Sequence, residues 1–132
     1  MISSFERPLF KALNMPVTTI NYRNKDIVLV DYTQCKTKEE MIDTIRLTAQ
    51  VFKATPGKIL TLSDFTGTFG SKEFMDESKK LSVEIFRAKT EKAAVIGITG
   101  VKKVLLKSFN AFSINKIPFE TKEEALEYLV AE

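Results

Sequence analysis

The segment Ala93-Ala94-Val95-Ile96-Gly97-Ile98 is apolar or glycine at every position, with no alternation of apolar and polar side chains. A strand with one wet face alternates, whereas an unbroken apolar run is covered on both faces, as in the interior of a parallel sheet. Parallel neighbours need helical crossovers, and the rest of the chain supplies them. Val17 to Tyr22 and Asp26 to Tyr32 flank the turn-prone Arg23-Asn24-Lys25 and read as a β-hairpin. Thr37-Lys38-Glu39-Glu40 is a capping box, followed on one helical face by Met41, Ile42, Ile45, Ala49 and Phe52, and Pro56-Gly57 ends that helix. Lys58 to Ser63 is a strand. Ser71 is an N-cap for a helix with the stripe Phe74, Met75, Leu81, Ile85 and Phe86. Beyond the apolar run, a third helix from Gly100 carries Val101, Val104, Leu105, Phe109 and Phe112. The short strand Ile117-Pro118-Phe119 belongs at an edge because of its proline. A second capping box, Thr121-Lys122-Glu123-Glu124, starts a last helix with Ala125, Leu126, Leu129 and Val130 facing inward.

The order ββαβαβαβα predicts an α/β fold, a mostly parallel five-stranded sheet with one antiparallel strand and helices covering it. The 132 residues make one domain, 1–132. Ile45, Phe52, Leu60, Leu62, Val95, Leu105 and Leu126 are the expected core, and Val95→Asp is expected to abolish folding. Met1 to Pro16 show no pattern that places them. Their apolar members Phe5, Leu9, Phe10 and Leu13, with an exposed hairpin, leave surface to cover, and a homodimer is the simplest expectation.

Composition removes many functions. With no histidine the chain holds no Ser-His-Asp triad, no histidine base and no histidine metal site, and one cysteine makes neither a disulfide nor a thiolate zinc site. The net charge of +3 is scattered, and the 10 Phe fall mostly on core positions, so no nucleic-acid surface is expected. Glu6, Arg7 and Lys11 interrupt the first residues, which lack the apolar run of a signal peptide. No segment is long enough to span a bilayer. A cytoplasmic protein is expected, and the unpaired Cys35 agrees with a reducing compartment.

In an open α/β sheet the functional crevice lies beyond the carboxyl ends of the parallel strands. Asp31-Tyr32-Thr33 and Asp64-Phe65-Thr66 repeat the pattern Asp, aromatic, Thr at two such ends. Paired carboxylates there bind a cation or divide acid and base work; alternatively each Asp ties down its own loop in an Asx-turn. Gly97-Ile98-Thr99-Gly100-Val101-Lys102-Lys103 runs from a buried strand into a helix, a pattern for a small anion on helix amides beside two lysines, or for glycines that only make a tight turn. The candidate ligand-binding residues are therefore Asp31, Asp64, Thr66, Gly97, Thr99, Gly100, Lys102 and Lys103. The third glycine of a dinucleotide fingerprint is absent, and Gly67 to Lys72 lacks P-loop spacing, so no cofactor is implied. Cys35 precedes a helix start, where the dipole favours a thiolate, but no second cysteine or histidine accompanies it.

The hairpin and strand-helix units, with Leu60-Thr61-Leu62-Ser63-Asp64-Phe65-Thr66-Gly67, Ala93 to Gly100 and the ending Pro118 to Leu129, resemble the SpoIIAA-like group of STAS/Sec14 domain proteins from about Val17 onward. The resemblance implies the fold and brings no catalytic residues. Related anti-sigma-factor antagonists carry Asp-Ser-Ser-Gly, with the serine after the Asp phosphorylated. Here the segment is Asp64-Phe65-Thr66-Gly67, Phe65 holds the acceptor position, and Thr66 is displaced by one. The expected function is that of a non-catalytic STAS-like module engaging a protein partner or a small anionic or apolar ligand at the loop edge. The competing expectation is a metal-assisted or acid-base enzyme using Asp31, Asp64 and Lys102.

Overall fold

Arg23 and Asn24 both take left-handed backbone, φ 50° and 67°, and this two-residue turn folds β1 (Val17–Tyr22) antiparallel onto β2 (Lys25–Asp31). Positive φ at both positions matches the twist of the flanking strands. The computed structural model describes residues 15–112 and 114–132, without the side chain of Phe112. The expectations resting on Phe5, Leu9, Phe10, Leu13 and Phe112 lie outside the described residues.

The remaining elements alternate: α1 (Lys38–Ala54), β3 (Ile59–Asp64), α2 (Lys72–Leu81), β4 (Thr90–Ile96), α3 (Val101–Phe112), β5 (Lys116–Phe119) and α4 (Lys122–Val130). The sheet order is β1-β2-β3-β4-β5, parallel from β2 to β5. Every crossover steps the same way across the sheet, so the right-handed rule puts α1, α2 and α3 on one face. Only α4 covers the other. Interior β4 and edge β5 match the sequence pattern, and the single α/β domain with its one antiparallel pair is the expected fold.

The two faces differ in chemistry. Against α4, Ile27, Leu60, Leu62, Ala94 and Ile96 meet Ala125, Leu126 and Leu129 in a core with no buried polar side chain among the described residues. Against the three helices, Val28, Val30, Tyr32, Met41, Ile45, Phe52 and Phe86 form the larger cluster. Thr61 and Ser63 of β3, Thr44 and Thr48 of α1, and Ser78 and Ser82 of the second helical segment are buried on this side. Register extends the pattern: Val28, Thr61, Ala93 and Lys116 are successive cross-strand partners, so Lys116 also projects toward the helices.

Four expectations need correction. The helix from Ser71 is not uniform: a π-helical turn, Ser82–Phe86, follows α2 and leads into Arg87–Lys89. Ser82, Ile85 and Phe86 of this wider turn are buried. Val101 and Val104 are 67% and 66% exposed, and Leu105 is only half-buried, because α3 lies over the sheet edge and, of its described side chains, buries only Phe109. The apolar run ends as strand at Ile96, where Gly97 turns to φ 79°. The first capping box is also incomplete: the Thr37 hydroxyl accepts from the Glu40 amide, but the Glu40 carboxylate accepts from the Lys36 amide. The second box, at Thr121 and Glu124, is complete. Ile45, Phe52, Leu60, Leu62, Val95 and Leu126 are buried as expected.

Candidate functional site

Asp31 and Asp64 are register partners at the ends of adjacent parallel strands, so both do reach one edge. Each carboxylate is tied to its own loop. Asp31 Oδ1 accepts from the Thr33 amide at 2.8 Å and from its hydroxyl at 2.5 Å, and Asp64 Oδ1 accepts from the Thr66 amide at 2.9 Å. These are Asx-turns, in which a short acceptor replaces a missing backbone partner. Among the described residues no group of acidic or cysteine side chains is placed to hold a metal ion.

The aromatic positions of the repeated pattern are what come together. Tyr32 and Phe65 stack with ring centroids 4.5 Å apart and planes 9° from parallel, and Phe74 of α2 meets both edge-on. The Tyr32 hydroxyl pairs with Thr48, and burial pushes its pKa up, so it stays a neutral phenol. Burial also raises the Cys35 thiol, which lies 3.5 Å from the Thr44 hydroxyl; the thiolate that the helix start favours is thereby disfavoured.

The Gly97 loop packs against the Asp64 loop without space for a side chain. A Cβ on Gly97 would lie 2.2 Å from the Thr66 amide nitrogen, and φ 79° independently selects glycine. Thr66 and Gly97 are therefore neighbours, as are the loops that contain Asp64, Thr99 and Gly100. Lys102 turns back to donate from Nζ to the Phe65 carbonyl at 2.9 Å, and the Phe65 amide donates to Ile96 O at 2.9 Å. Lys103 sits apart, on an outer groove with Val104, Lys107 and Pro118.

Beneath these loops lies a cavity of about 60 Å³ between α2, α3 and the segment after β3. Phe65, Phe74, Met75, Leu105 and Phe109 form its apolar wall, and Phe69, 46% exposed, stands at its rim. Gly70 stands at the mouth, where a Cβ would lie 2.1 Å from Leu105 Cδ1 and push that side chain aside. Three polar side chains line the cavity besides Thr68: Lys102, Lys116 and Ser78. The Ser78 hydroxyl is buried and has no hydrogen-bond partner among the described residues. Lys116 Nζ lies 4.6 Å from the Phe109 ring centroid, and burial pushes its pKa down to about 8. Sequence reasoning missed Lys116 and Ser78. The available signal was strand parity, since Ile117 and Phe119 pair with Ala94 and Ile96 of the α4 face and the intervening Lys116 must point to the opposite one.

No family model matches the sequence, and no curated protein matches it. Among solved structures, an uncharacterized protein of the DUF3478 family from Shewanella loihica PV-4, described as having a SpoIIAA-like fold, superposes with a TM-score of 0.63. The match covers 86% of this chain and 91% of that one at 18% identity. The fold is SpoIIAA-like. At that identity the likeness extends to the backbone, and the chemistry of the cavity has to be read from this chain's own side chains. Among the described residues no helix is long and apolar enough to cross a membrane.

Proposed function

We propose that this SpoIIAA-like domain is a non-catalytic binding module that takes a small, largely apolar ligand in the cavity between α2 and α3. The observation that carries this reading is the cavity itself: an apolar wall open at Phe69 and Gly70, with a buried hydroxyl on Ser78 that has no partner among the described residues. Buried polar atoms are almost always satisfied, and one at a cavity wall is where a ligand atom or ordered water completes the count. Asp31, Asp64 and Lys102 support a scaffolding role over acid-base chemistry, because each is engaged by the backbone of the crevice loops. The ligand thus belongs one layer below the loop edge, where Phe65, Thr68 and Ile98 line the cavity rather than Thr66, Gly97, Thr99 and Gly100.

Titration with hexan-1-ol, a neutral probe, followed by methyl and amide NMR, tests the reading. Shifts are expected at Met75, Leu105 and Leu106, and Leu105→Phe, which fills the space, is expected to abolish them. A flat titration in a well-resolved spectrum overturns the proposal.

A further inference from the structure

Lys116 enters the cavity from β5, burial disfavours its ammonium, and among the described residues no acidic side chain lines that cavity. The one described interaction of its side chain is with the face of Phe109. Other half-buried lysines have backbone acceptors: Lys92 donates to Tyr128 O and Ala131 O, Lys89 to Thr55 O, and Lys102 to Phe65 O. Folding thus takes part of the hydration of the half-buried Lys116 side chain and, among the described residues, places no anion against it in return. Such a group is ordinarily selected against unless something else completes it.

The charged surroundings of Lys116 point one way. On the α3 side the cavity presents Lys102, on the α2 side Ser78, and a second small cavity shared with Lys116 is lined by Tyr32, Thr48, Thr61 and Thr90. The titratable groups facing it are therefore Lys102, a cation, and Tyr32, a neutral phenol. Among the described residues no carboxylate lines either space. Thr90 Oγ1, like Ser78 Oγ, is buried without a partner among them.

We infer that the ligand of this cavity is a short, unbranched monocarboxylic acid, its carboxylate paired with Lys116 Nζ and its chain lying along Phe74, Met75 and Phe109. The inference rests on the binding-module reading above and deepens it by naming the chemical class. The enclosed space is about 60 Å³, against roughly 150 Å³ for a cavity that takes benzene, so it holds a carboxylate and the first carbons of a slim chain whose remainder leads out past Phe69, and no ring. Electrostatics selects the head group. Desolvation of the ammonium is already incurred in folding, so an arriving carboxylate gains a charge-assisted hydrogen bond without that cost on the protein side.

The test compares hexanoate with hexan-1-ol at pH 7, by calorimetry and NMR, on the wild-type protein and Lys116→Met. Wild type is expected to bind hexanoate about tenfold or more tightly than hexanol, the size of effect that a hydrogen bond to a charged group produces. Hexanoate should also move the Lys116 side-chain titration upward from about 8, a readout that needs no variant, while hexanol leaves it in place. Lys116→Met should keep hexanol binding and lose the preference for the acid. Equal binding of both probes to wild type, or an acid preference that survives Lys116→Met, overturns the assignment to Lys116 while the cavity reading stands. Binding of neither probe removes both.

Discussion

The two faces of this sheet are built from the same strands by the same alternation, yet they hold different interiors. The face under α4 is aliphatic throughout, and its buried partners Ile27, Leu60, Leu62, Ala94, Ile96, Ala125, Leu126 and Leu129 leave no polar side chain to satisfy among the described residues. The face under α1, α2 and α3 buries six hydroxyl side chains and receives Lys116 from the edge strand. One helix seals the first face closely, whereas the second is covered by three helices of which α3 is loosely seated, with Val101 and Val104 outward. The dry face is closed without a polar group to satisfy, and the cavity lies on the other face, beside the larger of the two clusters.

The contrast is broken most severely by placing a charge on the dry side. Leu62→Lys, in the central strand, is expected to abolish folding, because an unpaired buried charge costs several kcal/mol, on the order of the whole stability of a domain. Circular dichroism and urea unfolding report it, and a cooperative transition near the wild-type midpoint would show that this face is not as closed as its side chains indicate. Truncation comes next. Leu129→Ala should cost about 2–5 kcal/mol, as for other fully buried leucines, whereas Leu105→Ala should cost about 1 kcal/mol, since Leu105 is half-buried and already borders a void. Equal losses in the two variants would mean that α3 is packed as tightly as α4.

Most of this division was legible in the sequence on the dry side and little of it on the other. Unbroken apolar strands, two Thr-x-x-Glu boxes and the Arg23-Asn24 turn specify elements through local physics, and register follows once the strands are parallel. The loops were legible as loops, and Asp31 and Asp64 as turn formers, because an Asx-turn is a contact over two residues. Three features depend on contacts distant in sequence. The stacking of Tyr32 on Phe65 joins two loops, the outward turn of Val101 and Val104 depends on what lies above the sheet edge, and the cavity needs α2, α3 and β5 at once. Lys116 looked like the polar flank of an edge strand until its register with Ala93 aimed it inward.

A smaller effect, of opposite sign, sharpens the comparison on the wet face. Lys116→Met should stabilise the protein at pH 7 by about 2 kcal/mol, allowing for partial access of water to this side chain. The folded-state pKa, about 8, lies below the ordinary 10.5, so between these values the unfolded chain holds more protons than the folded one. Wild-type stability contributed by this group therefore rises with pH from about 8 to 10.5, and the advantage of Lys116→Met shrinks over the same interval. Denaturant midpoints at pH 7 and 10.5 check the sign; an advantage that grows with pH would show that Lys116 is paired in the folded protein.

The smallest expected effects are also the most local, since they compare two hydroxyls on the same face. Thr61 Oγ1 donates to the Val28 carbonyl at 3.0 Å, so Thr61→Val, which keeps the shape and removes the donor, should cost about 1 kcal/mol. Ser78 Oγ has no partner among the described residues, and Ser78→Ala removes a desolvated oxygen while adding a better helix former to α2. Gains of about 0.5–1 kcal/mol are expected there in protein stripped of any ligand. The cavity grows by one oxygen atom at most, too little for the void to reverse the sign. Loss of stability on Ser78→Ala would instead mean that the hydroxyl is satisfied in solution by a bound water or a retained ligand. Repeating both measurements in saturating hexanoate separates the two, because a ligand that uses Ser78 makes the variant's stabilisation by that probe smaller than the wild type's, while Thr61→Val and wild type respond alike.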